Sequence, residues 1–240
     1  MTAAEAIAAN PRWYHSIELE PGVHTPGMVD LRDVARRVLP DRVAGRALDV
    51  GTFDGFWAFE LERRGADEVV ALDVADAADA EWPPLQRERL EREAAEMGIE
   101  LGLGFRLAAD ALGSRAQRVV GDVRTLRAED VGGPVDVAFL GALLLHLRDP
   151  VGALERLRSV CTGTLFVLEP VSLRHTLLSP RRPVARFRPL ETTFNWWVPN
   201  LAALHAWLRT AGFSRVGFRG FHRPEGREGM DDWLAALEAS

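Results

Sequence analysis

The sequence predicts an α/β fold in which a doubly wound, mostly parallel β-sheet is covered by helices on both faces. Two observations support this prediction: short apolar stretches alternate with amphipathic helical stretches, and several apolar stretches end in an aspartate or a glycine. Strands buried on both faces read as continuous apolar runs. In such sheets ligands bind beyond the carboxyl ends of the strands, so the residues that follow each strand are the candidates for a functional site.

Six apolar stretches are predicted as strands. In chain order they span residues 46–50, 68–73, 117–120, 135–140, 164–168 and 213–221. After Phe221 the sequence reads HRPEGREGMDDWLAALEAS, for which we predict a loop and a short helix. A seventh, antiparallel strand is therefore not evident, and the sequence leaves its presence open.

Capping residues and turn signals bound the predicted helices. Asp30 and Asn200 are expected N-caps, Asp149-Pro150 opens another helix, and Gly65 and Gly113 end two more. The helices are predicted at residues 31–38, 56–64, 85–97, 105–112, 150–160 and 201–211. Residues 1–29 carry Pro-Gly turn signals and are expected to be irregular.

Length and order of elements predict one domain over residues 1–240. Within it, residues 1–40 form an N-terminal lid or cap, residues 41–170 the cofactor-binding core, and residues 196–240 the C-terminal part of the core. Residues 171–195 form an insertion after strand five on the substrate side. It contains five arginines against one acid, Glu191: Arg174, Arg181, Arg182, Arg186 and Arg188.

Composition excludes several classes of chemistry. All 29 basic residues are arginines, so lysine Schiff-base chemistry is excluded. Cys161 is the only cysteine, which excludes an intrachain disulfide and a cysteine-based zinc site, and it is expected to be a small buried apolar residue. The six histidines lack H-x-x-x-H spacing, so no metal site is expected.

Location and partners follow from charge and hydropathy. No apolar run approaches the roughly 18 residues of a membrane span, and the N-terminus lacks a signal-peptide pattern. A cytoplasmic protein without a membrane partner is therefore expected. The net charge of −6 disfavours general binding of polyanions such as RNA.

The sequence ALDVGTFDG, at the end of the first predicted strand, is a candidate ligand loop. Gly51 and Gly55 lie where the chain turns sharply, and Asp49, Thr52 and Asp54 supply polar groups. The spacing is not G-x-G-x-x-G, so a dinucleotide pyrophosphate would be poorly held. A ligand without phosphates fits better, and S-adenosylmethionine (SAM), with its sulfonium and amino-acid tail, is one. A purely structural turn is the alternative.

Two further strand ends extend this pattern. Asp73 follows the second strand about 20 residues after the glycines, where a carboxylate can accept hydrogen bonds from both ribose hydroxyls. Gly121-Asp122-Val123 follows the third strand, where Asp122 can accept from an adenine amine and a backbone N–H can donate to the ring. A solvated acid and a turn cap are the alternatives, but three such features in order favour a SAM site.

These residues resemble the class I SAM-dependent methyltransferases, and more narrowly the group related to the tRNA methyltransferases that modify wobble 5-hydroxyuridine. The matching segments, from about Trp13 to Phe221, are WYHSIEL, TPG at 25–27, DVGTFDG, GALLLHLRDP at 141–150 and NWWVPNLAALHAWLRTAGF at 195–213. The resemblance implies a Rossmann-like fold. It also implies that SAM is contacted by Asp49, Gly51, Gly55, Asp73, Asp122 and Val123, with residues from Gly141 to His146 near the reacting methyl.

The chain departs from those tRNA enzymes in two ways. They carry a tyrosine before the histidine that follows strand four, where this chain has Leu145, and their N-terminal lysine has no counterpart. Those features help them hold a carboxylated form of SAM. We therefore predict that ordinary SAM is the cofactor here.

Transfer of a methyl group to a hydroxyl benefits from a base with a pKa near 7, which favours histidine. His146 follows strand four, and His15 lies in an aromatic N-terminal segment that can close over the cofactor, so both are candidate bases. A structural role is the alternative for each. The candidate substrate contacts, for which local packing is the alternative, are Trp13, Tyr14, Glu169, Trp196 and Trp197.

The sequence thus predicts a SAM-dependent O-methyltransferase that acts on a hydroxylated small-molecule metabolite. One alternative is a tRNA wobble-uridine methyltransferase, although only the short arginine-rich insertion offers a basic face. A second alternative is a SAM-binding regulator without catalysis. The sequence leaves the acceptor molecule and the oligomeric state open.

Overall fold

A computed structural model describes residues 1–10, 12–96, 98, 100–188, 195–224 and 233–240. Its helices are α1 (Ala3–Ala9), α2 (Arg32–Val38), α3 (Phe56–Arg63), α4 (Arg87–Glu96), α5 (Leu103–Leu112), α6 (Pro150–Val160), α7 (Leu173–Leu178) and α8 (Leu201–Thr210). Its strands are β1 (Glu18–Glu20), β2 (Val23–His24), β3 (Arg46–Val50), β4 (Glu68–Asp73), β5 (Gln117–Val120), β6 (Val135–Gly141), β7 (Cys161–Pro170), β8 (Ala185–Phe187), β9 (Trp197–Pro199), β10 (Val216–His222) and β11 (Leu234–Ala239).

Seven strands form the central sheet in the order β10-β11-β7-β6-β3-β4-β5. Strands β3 to β7 are parallel, and β11 runs antiparallel to both of its neighbours, β7 and β10. Strand β3 pairs with β4 on one side and with β6 on the other, so the strand order reverses there. This reversal is the point at which open α/β sheets bind ligands. The predicted doubly wound, mostly parallel sheet is confirmed.

Two apolar clusters cover the two faces of the sheet. One contains buried side chains of α1, α2, α3 and α5, and the other contains those of α6 and α8. Cys161 is buried in the second cluster, as expected. Among the described helices, none combines the length and the apolar character that a bilayer crossing requires.

The prediction of a helix instead of a seventh strand is wrong. Residues Leu234–Ala239 form β11, which pairs with residues 165–170 of β7 and with 216–222 of β10. Ala235, Ala236 and Leu237 are fully buried, with no measurable exposure. Alanine and leucine favour helices in isolation, but burial between β10 and β7 decides their conformation here.

The prediction that residues 1–29 are irregular is also wrong in part. Helix α1 is capped by Thr2, whose hydroxyl accepts from the Glu5 N–H, while the Glu5 carboxylate accepts from the Thr2 N–H. This is a capping box, a signal that was present in the sequence. Strands β1 and β2 form a short antiparallel hairpin. The segment is built into the apolar cluster rather than lying loosely over it.

The insertion at 171–195 has some regular structure. Helix α7 lies within it, and β8 pairs antiparallel with β9, so the insertion is joined to the segment that follows it. Residues 189–194, which include Glu191, are outside the described residues, as are Met97 and residues 225–232 of the predicted loop. The predicted strand at 213–221 begins three residues later, at Val216.

Candidate cofactor and acceptor site

A cleft lies at the carboxyl edge of the sheet, beside the point where the strand order reverses. It is partly open to solvent, has a volume of about 90 Å³, and lies between the ends of β3, β4 and β5, the segment after β6, and residues 79–81. Five residues predicted for the site meet in its lining: Gly51, Asp73, Asp122, Val123 and His146.

Asp73, at the end of β4, joins this cleft to the glycine loop, which we define as residues 51–55. One carboxylate oxygen accepts from the Phe53 N–H at 2.7 Å, and the other accepts from the Val74 N–H at 2.9 Å. Burial raises the pKa of Asp73, and these two donors partly oppose that rise. Phe53 has φ of 52°, in the left-handed region that a side chain disfavours, so the Asp73 bond helps to hold a strained turn.

Asp49 lies one strand away and is 1% exposed. Burial raises the pKa of its carboxyl to about 7, with the neighbouring Thr52 hydroxyl acting in the opposite direction. Among the described residues, no group donates a hydrogen bond to its Oδ2 atom. A buried carboxylate oxygen without a partner is costly, and an ammonium group beside the glycine loop would satisfy it. This unpaired acceptor therefore fits the ammonium group of the amino-acid tail of SAM.

The two glycines of the loop differ in purpose. A Cβ on Gly51, whose φ is 74°, would lie 3.2 Å from the Leu143 side chain across the cleft, so glycine keeps this wall open. A Cβ on Gly55 would lie 2.5 Å from the Phe59 ring. Gly55 is therefore required by packing between the loop and α3, whereas Gly51 borders the cleft directly.

Asp122 lines the cleft but is held by a residue that the sequence reasoning missed. Its carboxylate accepts from the Arg124 backbone N–H at 2.8 Å and from Arg124 Nε at 2.7 Å. Arg124 also donates to the Asp79 carbonyl at 3.0 Å and lies 3.4 Å from a Glu81 carboxylate oxygen. Arg124 therefore orients the Asp122 carboxylate. It also holds residues 79–81 over the cleft.

The two tryptophans predicted to contact substrate bind backbone carbonyls near residues 79–81 and in the segment after β6. The Trp196 indole N–H donates to the Glu81 carbonyl at 2.6 Å, and its backbone N–H donates to the Leu145 carbonyl at 2.7 Å. The Trp197 indole donates to the Arg148 carbonyl at 3.1 Å. Trp196 is 6% exposed. It packs against the loop that carries His146, and Trp197 is partly exposed. Neither tryptophan is among the residues that line the cleft.

The aromatic N-terminal segment is anchored to the glycine loop by Asp54. This carboxylate accepts from the Tyr14 N–H at 3.1 Å and from the His15 N–H at 2.7 Å, and it also contacts His15 Nδ1. The His15 ring stacks on Phe56, with ring centroids 5.2 Å apart. Asp54, predicted as a cofactor ligand, therefore binds the protein's own backbone.

Trp13 and Tyr14 pack with the core. Trp13 is 2% exposed and Tyr14 contacts the Phe53 ring edge-on. Among the described residues that line the cleft, none comes from residues 13–15. The segment contacts the glycine loop through Asp54 and Phe53, and its role as a lid with a catalytic His15 stays a prediction.

The TPG at residues 25–27 secures the same segment. The Thr25 hydroxyl donates to the His15 carbonyl at 2.6 Å and accepts from the Ile17 N–H at 2.8 Å. A Cβ on Gly27 would lie 2.1 Å from the His15 carbonyl carbon, so only glycine permits this approach. The motifs at residues 13–19 and 25–27 are thus bound to each other through the backbone of His15 and Ile17.

Glu169, predicted to bind substrate, is 1% exposed and faces the backbone after β6. One of its carboxylate oxygens accepts from the Leu143 and Leu144 N–H groups at 2.6 and 2.8 Å. Burial raises its pKa to about 8, and the N–H donors partly oppose this.

Gly141, predicted as a cofactor contact, lies at the end of β6 and packs close to Phe139 and Trp57. A Cβ on Gly141 would lie 2.8 Å from the Phe139 ring.

The chain is similar to known proteins in sequence over three quarters of its length. No protein-family profile matches the chain. The tRNA U34 carboxymethyltransferase of Pseudomonas fluorescens (strain Pf0-1) is 25% identical over 189 residues, which cover 75% of this chain and 49% of the relative. That of Stutzerimonas stutzeri (strain A1501) is 27% identical over 186 residues, with the same coverage. The chain spans about half the length of the curated relatives it matches.

Solved structures share the fold. The N-terminal domain of EvdMO1 with S-adenosylhomocysteine (SAH) bound has a TM-score of 0.59 at 18% identity, covering 99% of this chain and 94% of that one. NcsB1, an O-methyltransferase from neocarzinostatin biosynthesis, in complex with SAM and 2-hydroxy-5-methyl naphthoic acid, has a TM-score of 0.51 at 19% identity, covering 86% and 51%. The chain therefore has the class I SAM-dependent methyltransferase fold and is related in sequence to the tRNA U34 carboxymethyltransferases.

Proposed function

We propose that this protein is a SAM-dependent methyltransferase. The observation that supports this most directly is the cleft at the reversal of strand order, where residues from three successive strand ends meet. Next to it, Asp49 presents a buried carboxylate oxygen that no described residue satisfies. The fold shared with EvdMO1, whose N-terminal domain was crystallised with SAH, is consistent with this proposal.

In this proposal the amino-acid tail, the ribose and the adenine of SAM each bind to different residues. Asp49 binds the amino group of the tail through its free oxygen, close to Gly51 and Thr52. Asp73 binds the ribose, because each of its oxygens keeps a lone pair after accepting one backbone N–H. Asp122 and Val123 bind the adenine, with Asp122 oriented by Arg124. When bound, SAM supplies an electrophilic methyl group, so no metal is required.

The protein's own task is to align the acceptor and exclude water. His146 lies in the wall of the cleft and takes the proton of an acceptor hydroxyl in our proposal. His15 is bound to Asp54 and stacked on Phe56, so we assign it a positioning role. Trp197, which binds the Arg148 carbonyl, is more exposed than Trp196, so of the two tryptophans we assign it to contact with an acceptor.

The acceptor that we favour is a hydroxylated small molecule. NcsB1, which shares the fold, was solved with a hydroxylated naphthoic acid. The net charge of −6 opposes binding to a long polyanion. The second candidate is tRNA, since the sequence relatives are tRNA carboxymethyltransferases. A regulator that binds SAM without catalysis is the third.

Two experiments separate these candidates. Calorimetry with SAM, SAH and NAD tests the cofactor: stoichiometric binding of SAM and SAH without NAD supports the proposal, and binding of NAD alone contradicts it. Transfer of radiolabelled methyl from SAM is then measured with a panel of hydroxylated aromatic acids and with tRNA that carries 5-hydroxyuridine at the wobble position. Labelling of a small acceptor that His146→Ala abolishes supports the O-methyltransferase. Labelling of tRNA alone supports the second candidate, and SAM binding without labelling of either supports the third.

A further inference from the structure

The end of β7 places a buried acid against the segment that borders the cleft. Glu169 is 1% exposed, and it pairs in the sheet with Ala235 of β11, so its side chain is enclosed by protein. It projects toward the turn after β6, although it does not line the cleft itself. A buried carboxyl is costly unless it binds donors, and the donors that it binds are backbone groups of that turn.

The turn after β6 is strained. Ala142 has φ of 50°, a conformation that L side chains disfavour, and its N–H donates to the Leu168 carbonyl at 2.8 Å. The next two N–H groups, of Leu143 and Leu144, converge on a single oxygen of Glu169. The His146 N–H then donates to the Leu143 carbonyl at 2.9 Å, which starts one turn of 3-10 helix.

This turn places two residues in the cleft wall. The Leu143 side chain faces Gly51 across the cleft, and His146 follows on the same wall. Because the strained Ala142 would otherwise relax, the position of both side chains depends on what holds the N–H groups of Leu143 and Leu144. In the described structure that group is the Glu169 carboxyl.

We propose that Glu169 is a positioning residue, which holds residues 142–146 in the strained turn so that Leu143 closes the cleft against the glycine loop and His146 faces the acceptor. The inference rests on the proposed function only in taking the cleft to be the site where cofactor and acceptor bind. The hydrogen bonds that it invokes belong to the protein alone. Its carboxyl touches neither cofactor nor acceptor, so it acts through Leu143 and His146.

Substitutions at Glu169 separate acceptor capacity from the titratable carboxyl. Glu169→Gln keeps a carbonyl oxygen for both N–H groups and removes the titratable carboxyl. Glu169→Leu has similar volume but no acceptor, which leaves the N–H groups of Leu143 and Leu144 without this partner. Glu169→Asp keeps the carboxyl but shortens the side chain by one methylene, which moves its oxygens away from the turn. Glu60→Gln is the matched control, since Glu60 is also a buried acid but pairs with Arg63 and Arg64 on α3, outside the cleft.

Amide hydrogen exchange and SAH calorimetry are the readouts. In Glu169→Leu and in Glu169→Asp we expect the Leu143 and Leu144 amides to exchange at least tenfold faster and SAH to bind at least tenfold more weakly. Glu169→Gln should restore both to within about threefold of the wild-type protein. Glu60→Gln should lower the urea midpoint without changing SAH affinity. Rescue by glutamine is the result that a general loss of stability would not produce.

Several outcomes would overturn the proposal. Unchanged exchange of both amides in a folded Glu169→Leu protein would show that the turn holds itself, and so would unchanged exchange in Glu169→Asp if the leucine variant does not fold. A glutamine variant as defective as the leucine variant would show that the two N–H bonds are not the operative contact. If the wild-type protein does not bind SAH, the proposed function fails, while the exchange measurement still decides the role of Glu169.

Discussion

Replacing Asp54 by alanine should loosen the N-terminal segment from the glycine loop. The Asp54 carboxylate accepts from the buried His15 N–H and from the partly buried Tyr14 N–H, and it contacts the His15 imidazole. Leaving a buried donor without a partner costs about 1–3 kcal/mol, so the loss of the His15 bond alone should cost that much. This is a substantial part of the roughly 5–15 kcal/mol that stabilises a typical domain.

Urea unfolding followed by far-ultraviolet circular dichroism measures this loss, and limited proteolysis shows whether cleavage begins within residues 12–29. Asp54→Asn is the matched control, because the amide oxygen can still accept from both N–H groups and its NH₂ can donate to a neutral His15 ring. We expect it to retain most of the stability. If Asp54→Ala unfolds within about 0.5 kcal/mol of the wild-type protein and resists protease equally well, the anchoring role assigned to Asp54 is refuted.

Three further predictions concern the cofactor. Asp73→Ala should weaken SAM binding by about 1.5–3 kcal/mol in calorimetry, since hydrogen bonds to a charged acceptor are lost; equal affinity in a folded variant removes Asp73 from the site. The folded-state pKa of Asp49, about 7, exceeds its unfolded value of 3.8, so stability falls as pH rises between them. Asp49→Asn should therefore raise the free energy of unfolding at pH 8 by an amount on the order of 2–4 kcal/mol, fading toward pH 4, while weakening SAM binding; equal stability at pH 8 contradicts this. Ordinary SAM should bind better than carboxylated SAM, because Leu145 lacks a hydroxyl; a tenfold preference for the carboxylated form refutes it.

The strands of the parallel core could be predicted from sequence because their signals are local. Strands β3, β4 and β5 match their predicted bounds, since each is an apolar run followed by a glycine or an acid. Strand β11 could not be predicted in this way. Its residues favour a helix in isolation, and pairing with β10 and with β7, which is distant in sequence, makes them extended.

Site residues could be predicted from the sequence where they directly follow a strand, because the sheet then determines their position. Asp73 and Asp122 follow strands, and the sheet brings them together. Asp54 and Glu169 were assigned from position too, but their partners are backbone N–H groups that come from other segments. A carboxylate that serves a ligand and one that secures a turn look the same in sequence. Arg124 was missed because an arginine near an acid is common on solvated surfaces.

The placement of β11 also governs the order in which the sheet can be assembled. β7 gains its second neighbour only when residues 234–239 reach it, although β3 to β7 are already complete by residue 170. Until then the edge of β7 presents unpaired backbone groups and the apolar face beside it. Pairings between distant segments form slowly. A ribosome-bound chain therefore has an unpaired edge strand, which other chains can bind, while residues 171–233 are being synthesised. Chaperone binding at this stage should be strongest along β7.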